Sequence, residues 1–323
     1  MLSAYLPQGG VLQRVAIGPG ATLPEAAVWL DLVQPAPGED KLIENFLGIA
    51  VPTREEMLEI EISSRLYVEN DARYMTATLV CHSDTTTPKT TPVTFILAGR
   101  RLVTVRYDTP RPFAMVEHKL GRSCPATVGG DSVLMDLLDA MIDRAADIQE
   151  RVGAEIDQIS HAIFEPDQNM QQRSYNDVLK ALGRKGDLTS KVRESLVSIG
   201  RLLLFLANEA DAMAWAKELR AQVASMQRDV LSLTDHATYL TNNITFLLDA
   251  MLGVVNIQQN NIIKIFSVAA VVLMPPTLVA SIYGMNFRHM PELDWPFGYP
   301  AALAVMVLAA VLPYLYFKWR KWL

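Results

Sequence analysis

The sequence predicts an α+β membrane chain: an N-terminal α/β domain, a long helical stalk and two membrane-spanning helices at the C-terminal end. Three observations lead there. Most of the 18 prolines fall before Ala126 and none lies between Pro166 and Pro275, so a turn-rich region precedes one free to be helical. Apolar residues then recur at alternating three- and four-residue steps: Met226, Val230, Leu233, Ala237, Leu240, Ile244, Leu247, Met251 and Val254. That spacing is a heptad seam. Finally, residues 262–283 and 298–317 are two apolar stretches, each near the 20 or so residues that a helix needs to cross a bilayer.

In the first region, residues 11–17, 28–33, 74–80, 93–97 and 102–105 are short apolar or alternating runs bounded by Gly, Pro, Asp and Thr. They read as strands. Thr53-Arg54-Glu55-Glu56 forms a capping box opening a helix toward Ile60. Residues 41–47 and 113–120 are further helices. The α/β domain is expected over residues 1–130, a helical region and stalk over 131–258, and the membrane domain over 259–323. Gly129-Gly130-Asp131-Ser132 supplies a turn and an N-cap. Helices are expected over 133–164, 171–182 and 188–207, with Gly183-Arg184-Lys185-Gly186 breaking the second from the third. From about Asp211 only Gly253 interrupts the pattern before the membrane. A helix from there to Tyr283 holds about 70 residues, roughly 100 Å at 1.5 Å per residue. So long a helix needs lateral support, and self-association into a bundle is the expected source.

Charge is divided unevenly. Residues 259–323 carry five basic residues against two acidic, or +3; the remainder carries 24 against 33, or −9. An acidic soluble part argues against nucleic acid as a partner and suits divalent cations. Lys318, Arg320 and Lys321 follow the second span, and such clusters stay on the cytoplasmic side. Both termini are therefore expected inside, in a multi-pass protein of the inner (cytoplasmic) membrane, with the loop near 284–296 outside. Met1 to Gly20 has neither a basic n-region nor a continuous apolar core, so no secretory signal is expected. Cys81 and Cys124 cannot make a disulfide framework and suit a reducing compartment. No phosphate-binding loop and no Ser/His/Asp motif appears, and no enzyme activity is expected.

Laid out in sevens, one position of the first span reads Asn260, Ser267, Met274, Ser281, and the position three residues on reads Ile263, Ala270, Thr277. No other register is as polar. Polar groups in a span face the bundle interior or water, so this stripe is the candidate pore lining. Ser267, Ala270 and Ser281 also suit close helix packing. Lys264, one turn into the span, suits snorkelling to the inner interface. Pro275-Pro276 removes two helix hydrogen bonds mid-span.

Tyr283-Gly284-Met285-Asn286-Phe287 lies between the spans, followed by Met290-Pro291-Glu292-Leu293 and preceded by Asn260 to Ser267 and Pro275 to Ser281. This ending resembles the CorA family of magnesium and cobalt channels, closely from about Phe246 to Leu323 and more loosely upstream. The resemblance implies a funnel-shaped homopentamer passing Mg²⁺, Co²⁺ and Ni²⁺, with Gly284, Met285 and Asn286 as selectivity filter and with cytosolic Mg²⁺ as a regulatory ligand. It adds weight to Asn260 and Thr277 as pore residues. It does not assign the regulatory ligands, although Asp229 and Asp235 lie on the stalk near such a site.

The chemistry of Asn286 suits that role. Mg²⁺ dehydrates reluctantly, and a ring of amide oxygens accepts hydrogen bonds from its waters, so the metal contact is through ion-bound water. Neutral amides avoid trapping a divalent ion. Gly284 is expected to let the backbone leave the helix in a conformation that other residues resist. Arg288-His289 stands where the family usually has an acidic residue and an aromatic; Glu292 and Asp294 remain as outer-loop acids. Asp157, His161 and Glu165 share one helix face, a spacing that suits a metal but more often a solvated face. The alternatives are a zinc transporter of the related branch and a membrane-anchored sensor or enzyme. The Met-Pro-Glu-Leu continuation favours the magnesium branch, and a passive anchor has no need of a polar stripe.

Overall fold

The computed structural model describes residues 1–18, 20–125, 127–164, 175–286, 290–291 and 294–320. Two compact units divide at Leu248: Met1–Leu248 and Asp249–Leu323.

The first unit is built on a seven-stranded sheet. Its strands are β1 (Leu2–Gln8), β2 (Val11–Ile17), β3 (Trp29–Val33), β4 (Leu66–Glu69), β5 (Ala72–Cys81), β6 (Lys89–Ala98) and β7 (Arg101–Arg106). Their order is β2-β1-β3-β7-β6-β5-β4. Every pairing is antiparallel except β3 with β7, where Trp29 lies against Leu102 and Asp31 against Thr104. The helices are α1 (Glu39–Leu47), α2 (Arg54–Met57), α3 (Ile62–Arg65), α4 (Arg111–Leu120), α5 (Gly130–Phe164), α6 (Tyr175–Glu209), α7 (Lys217–Tyr283) and α8 (Gly298–Trp319). The expected capping box is present: Thr53 Oγ1 accepts from the Glu56 amide and Glu56 accepts from the Thr53 amide. The helix it opens ends at Met57, short of Ile60.

Both sheet faces are covered, which is why the central strands read as continuous apolar runs. Met75, Ala77, Leu79, Phe95 and Leu102 face the core shared with α4, α5, α6 and the start of α7; Tyr74, Ile96, Val103 and Val105 face a second core with Ile43 and Met57. On the helical face Arg106 grips Asp31, with Nη2 2.9 Å from Oδ2 and Nε 3.1 Å from Oδ1. Thr104 bridges Asp31 to the Trp29 indole, and the Arg106 guanidinium stands 4.4 Å from the Phe113 ring centroid. Removing one partner of so buried a pair costs about 3–5 kcal/mol. Cys81 and Cys124 are buried and free; burial, with Asp108 adding, pushes the Cys81 thiol up to about 12.

Three expectations need correction. The break at 183–186 does not exist: α6 runs unbroken through both glycines, because buried Leu182, Leu188 and Val192 flank them and outweigh the roughly 1 kcal/mol that each mid-helix glycine costs. Helix α5 starts at Gly130, so Asp131 lies in its first turn. The stalk seam finds its cover inside the chain: Met226, Val230, Leu240, Ile244 and Leu247 join the core of α5 and α6. A glycine makes room at one crossing, since a Cβ at Gly200 would lie 3.2 Å from the Val230 side chain, tighter than ordinary contact. The amide of Gln149, on α5, adds a polar tie, donating to Leu233 O at 3.0 Å and meeting His236 Nδ1 at 2.9 Å.

Candidate functional site

In the second unit α7 continues from Asp249 to Tyr283, and α8 runs from Gly298 to Trp319; both are long and apolar enough to cross a membrane. Helix α8 holds 22 residues, about 33 Å of rise, against a hydrocarbon core of about 30 Å. Trp295, Phe297 and Tyr299 flank its start, and Tyr314, Tyr316 and Trp319 its end, all exposed. Such rings suit the two membrane–water interfaces.

The expected stripe is one open face of α7. Asn260, Ile263, Ser267, Ala270, Met274, Thr277 and Ser281 are all exposed along the chain. The covered face is another: Val268 is buried, and Val272, Pro275, Pro276 and Val279 are half-buried. At about 100° per residue the stripe centres roughly 155° around the helix from that covered face. Lys264 lies about 90° from the stripe, off its face. The polar stripe is thus open, as are the apolar Phe266, Leu273 and Leu278 beside it; its polarity, not its exposure, sets it apart.

Helix α7 continues through Pro275 and Pro276. Neither has an N–H, so the carbonyls of Val271 and Val272 lose their helical donors. One turn on, Thr277 Oγ1 donates to Leu273 O at 2.8 Å. Its proton is committed to the backbone, and its acceptor lone pairs remain for the open face. This sequence reading missed; a threonine two residues past a helical proline was the available signal.

The helix stops at the glycine of the motif. Gly284 N–H bonds Ala280 O at 2.9 Å and Met285 N–H bonds Ile282 O at 3.2 Å. Gly284 is not among the residues of positive φ. What favours glycine is close approach, since a Cβ there would lie 3.2 Å from Ala280 O. Met285 and Asn286 follow, both exposed. Among the described residues, no side chain bonds the Asn286 amide, which leaves its oxygen free to accept. Asp294 is exposed; Glu292, Arg288 and His289 lie outside the described residues.

In the first unit no group of three or more His, Cys, Asp or Glu is placed to hold a metal among the described residues. Glu165, of the Asp157–His161–Glu165 set, lies outside them. Asp229 belongs to a neighbourhood of like charge: desolvation, then Asp143, Asp136 and Asp229 push the Asp139 carboxyl above its ordinary value, against Lys119.

These features agree with the comparisons. The family described as CorA-like Mg²⁺ transporter protein matches residues 24–319. The magnesium transport protein CorA of Escherichia coli K12 is 36% identical over 325 residues, and that of Yersinia pseudotuberculosis 35% over 323, each alignment covering all of both chains. The complete structure of the CorA magnesium transporter from Methanocaldococcus jannaschii superposes with a TM-score of 0.77 at 19% identity, over 100% of this chain and 99% of that one. The fold and the apolar ending define a membrane transport protein with a large sheet-and-helix soluble part. The chain belongs to the CorA family of magnesium transporters.

Proposed function

We propose that this chain forms a passive, potential-driven channel for Mg²⁺, which also passes Co²⁺ and Ni²⁺ and is closed by cytosolic Mg²⁺. The observation that carries the reading is the open polar stripe from Asn260 to Ser281, followed by Asn286, whose amide has no partner among the described residues. Copies of the chain brought together around an axis, as a homopentamer in the inner membrane with both termini cytoplasmic, would turn that stripe into a hydrated path. A ring of Asn286 amides at its outer end would accept hydrogen bonds from the ion's water shell and leave the inner shell in place. Residues 1–130 and 131–258 then stand as cytosolic regions and 259–323 as the membrane domain. A potential of 100 mV favours entry of a divalent cation by about 4.6 kcal/mol, twice the single-charge value, so no nucleotide hydrolysis is needed.

For closure, Mg²⁺ bridging the acidic faces of adjacent subunits would offset repulsion of the kind felt at Asp139. The ion must bind the closed state better than the open one, or it shifts nothing. The names of the full-length relatives support magnesium over the zinc reading. The test is flux into liposomes carrying the purified chain, an internal Mg²⁺ indicator and an imposed inside-negative potential. Influx that follows the potential and falls as internal Mg²⁺ rises is expected; no influx would reject the channel.

A further inference from the structure

The first unit holds a cavity of about 550 Å³ between β5, α3 and α6, a size that suits a small ligand. Three guanidinium groups, Arg65, Arg193 and Arg201, line it against one carboxylate, Glu194. That excess of positive charge lies in a soluble part of −9. Elsewhere Arg14, Arg73, Arg106, Arg111, Arg144, Arg151 and Arg220 each meet a carboxylate. Among the described residues neither Arg193 nor Arg201 makes an ion pair or a hydrogen bond. Arg65 is fixed in place, its Nη1 donating to Thr78 Oγ1 at 3.0 Å and its Nε to Glu59 O at 2.5 Å. Burial lowers its hold on its proton, with the Arg201 charge adding to that and Glu194 opposing. Ser198 Oγ, on the same wall, accepts the Thr78 amide at 2.9 Å and keeps its own proton to donate. Beside the guanidiniums stand Ile60 and Ile62, 85% and 55% exposed.

Two exposed guanidiniums without a described partner beside a fixed one, with the Ser198 hydroxyl on the same wall, suit a polyvalent oxyanion: guanidinium forks bind phosphate oxygens in pairs. The exposed isoleucines give an apolar surface for a flat ring next to the charge. We infer that this cavity binds a small phosphorylated anion, a nucleoside diphosphate or a free polyphosphate, through Arg65, Arg193 and Arg201.

The inference does not depend on the transport reading, and binding tests it alone. Full-length protein in detergent, held free of Mg²⁺ with chelator, would be titrated calorimetrically with ADP, pyrophosphate and adenosine. Saturable binding of ADP or pyrophosphate is expected, with none for adenosine. Tighter binding of ADP marks a nucleotide site, and equal binding marks a polyphosphate site. Arg193→Gln with Arg201→Gln should weaken binding at least ten-fold, whereas Arg122→Gln, an exposed arginine outside the cavity, should leave it unchanged. Both replaced arginines are exposed and have no ion-pair or hydrogen-bond partner among the described residues, so the variant is expected to fold; a melting temperature matching the parent's checks this. No saturable binding of either phosphate compound, or equal binding by the folded double variant, would overturn the inference.

Discussion

The Thr277 hydroxyl donates to the Leu273 carbonyl across one turn of α7, at 2.8 Å. The bond fixes the hydroxyl rotor just after the two prolines and turns the oxygen's lone pairs toward the stripe. A hydrated cation passing there meets an acceptor that cannot offer it a proton. Thr277→Val keeps the shape and removes the oxygen. Mg²⁺ influx is expected to fall several-fold at unchanged assembly, and Thr277→Ser to restore most of it. Influx from the valine variant equal to the parent's would show that the oxygen is irrelevant to conduction.

The division of α7 into an open and a covered face gives a second expectation. Single cysteines at Ile263, Met274 or Thr277 should react with a water-soluble thiol reagent and block influx. Cysteines at Val268, Val272 or Val279 should react slowly and leave influx intact. Cys81 and Cys124 are buried, so background labelling is expected to be low. Equal labelling of both sets would remove the stripe as the water-facing surface.

How far these features were legible follows from particular residues. The stalk announced itself because no proline lies between Pro166 and Pro275 and because heptad spacing survives in Met226 to Leu247, and the spans because their apolar stretches are long enough to cross a bilayer. Strand β1 escaped because Ser3, Ala4 and Pro7 break up its apolar run, although its first five residues are buried. Strand β4 escaped as a four-residue edge strand. The stripe itself was readable from its polarity. Which side of α7 the chain covers was not, since Val268, Val272 and Val279 look the same to a sequence whether they meet protein or lipid. The arginine cavity is assembled from residues 65, 193 and 201, brought together only by packing of α6 on β5.

The continuity of α6 through Gly183 makes a sharp expectation. Gly183 is exposed, a Cβ there would meet nothing within 4 Å, and its φ is not positive. Gly183→Ala should therefore stabilise the soluble unit by about 0.5–1 kcal/mol, while Gly183→Pro should cost about 3 kcal/mol or more. Denaturant unfolding of the two variants measures both. A proline tolerated without loss would mean that the helix does break there.

Asp84 gives the acid-side expectation. It accepts from Arg111, Arg144 and Arg151. The hydrogen bond from Arg151, then the charges of Arg144 and Arg151, hold its carboxyl below the ordinary aspartate value. A carboxyl depressed by folding contributes stability above its unfolded pKa and loses it as pH falls through the folded one. Asp84→Asn should thus lower the melting temperature at pH 7, and the gap should close well below pH 4. Because Asp84 is about half exposed, solvent screening keeps the effect modest. A gap independent of pH would assign it to packing instead of charge.

Asn286 carries the most specific expectation. It follows the glycine at which α7 ends, it is exposed, and its amide oxygen is free among the described residues. If several copies present that oxygen to one axis, the ring binds a hydrated divalent ion through its water and excludes ions whose shell does not match. Asn286→Ala removes the acceptor with little reason to disturb the fold, since no described side chain bonds the amide. The variant should therefore keep the parent's size in detergent chromatography and its melting temperature, yet lose Mg²⁺ influx at least ten-fold. Asn286→Gln, which retains the amide on a longer arm, should admit ions with an altered preference between Mg²⁺ and Co²⁺. Asn286→Asp places a charge where the ion must leave again, so binding should tighten while influx falls. A correctly assembled alanine variant that conducts like the parent would end the assignment of Asn286 as the selecting residue, and with it the amide-ring account of how a hydrated ion is chosen.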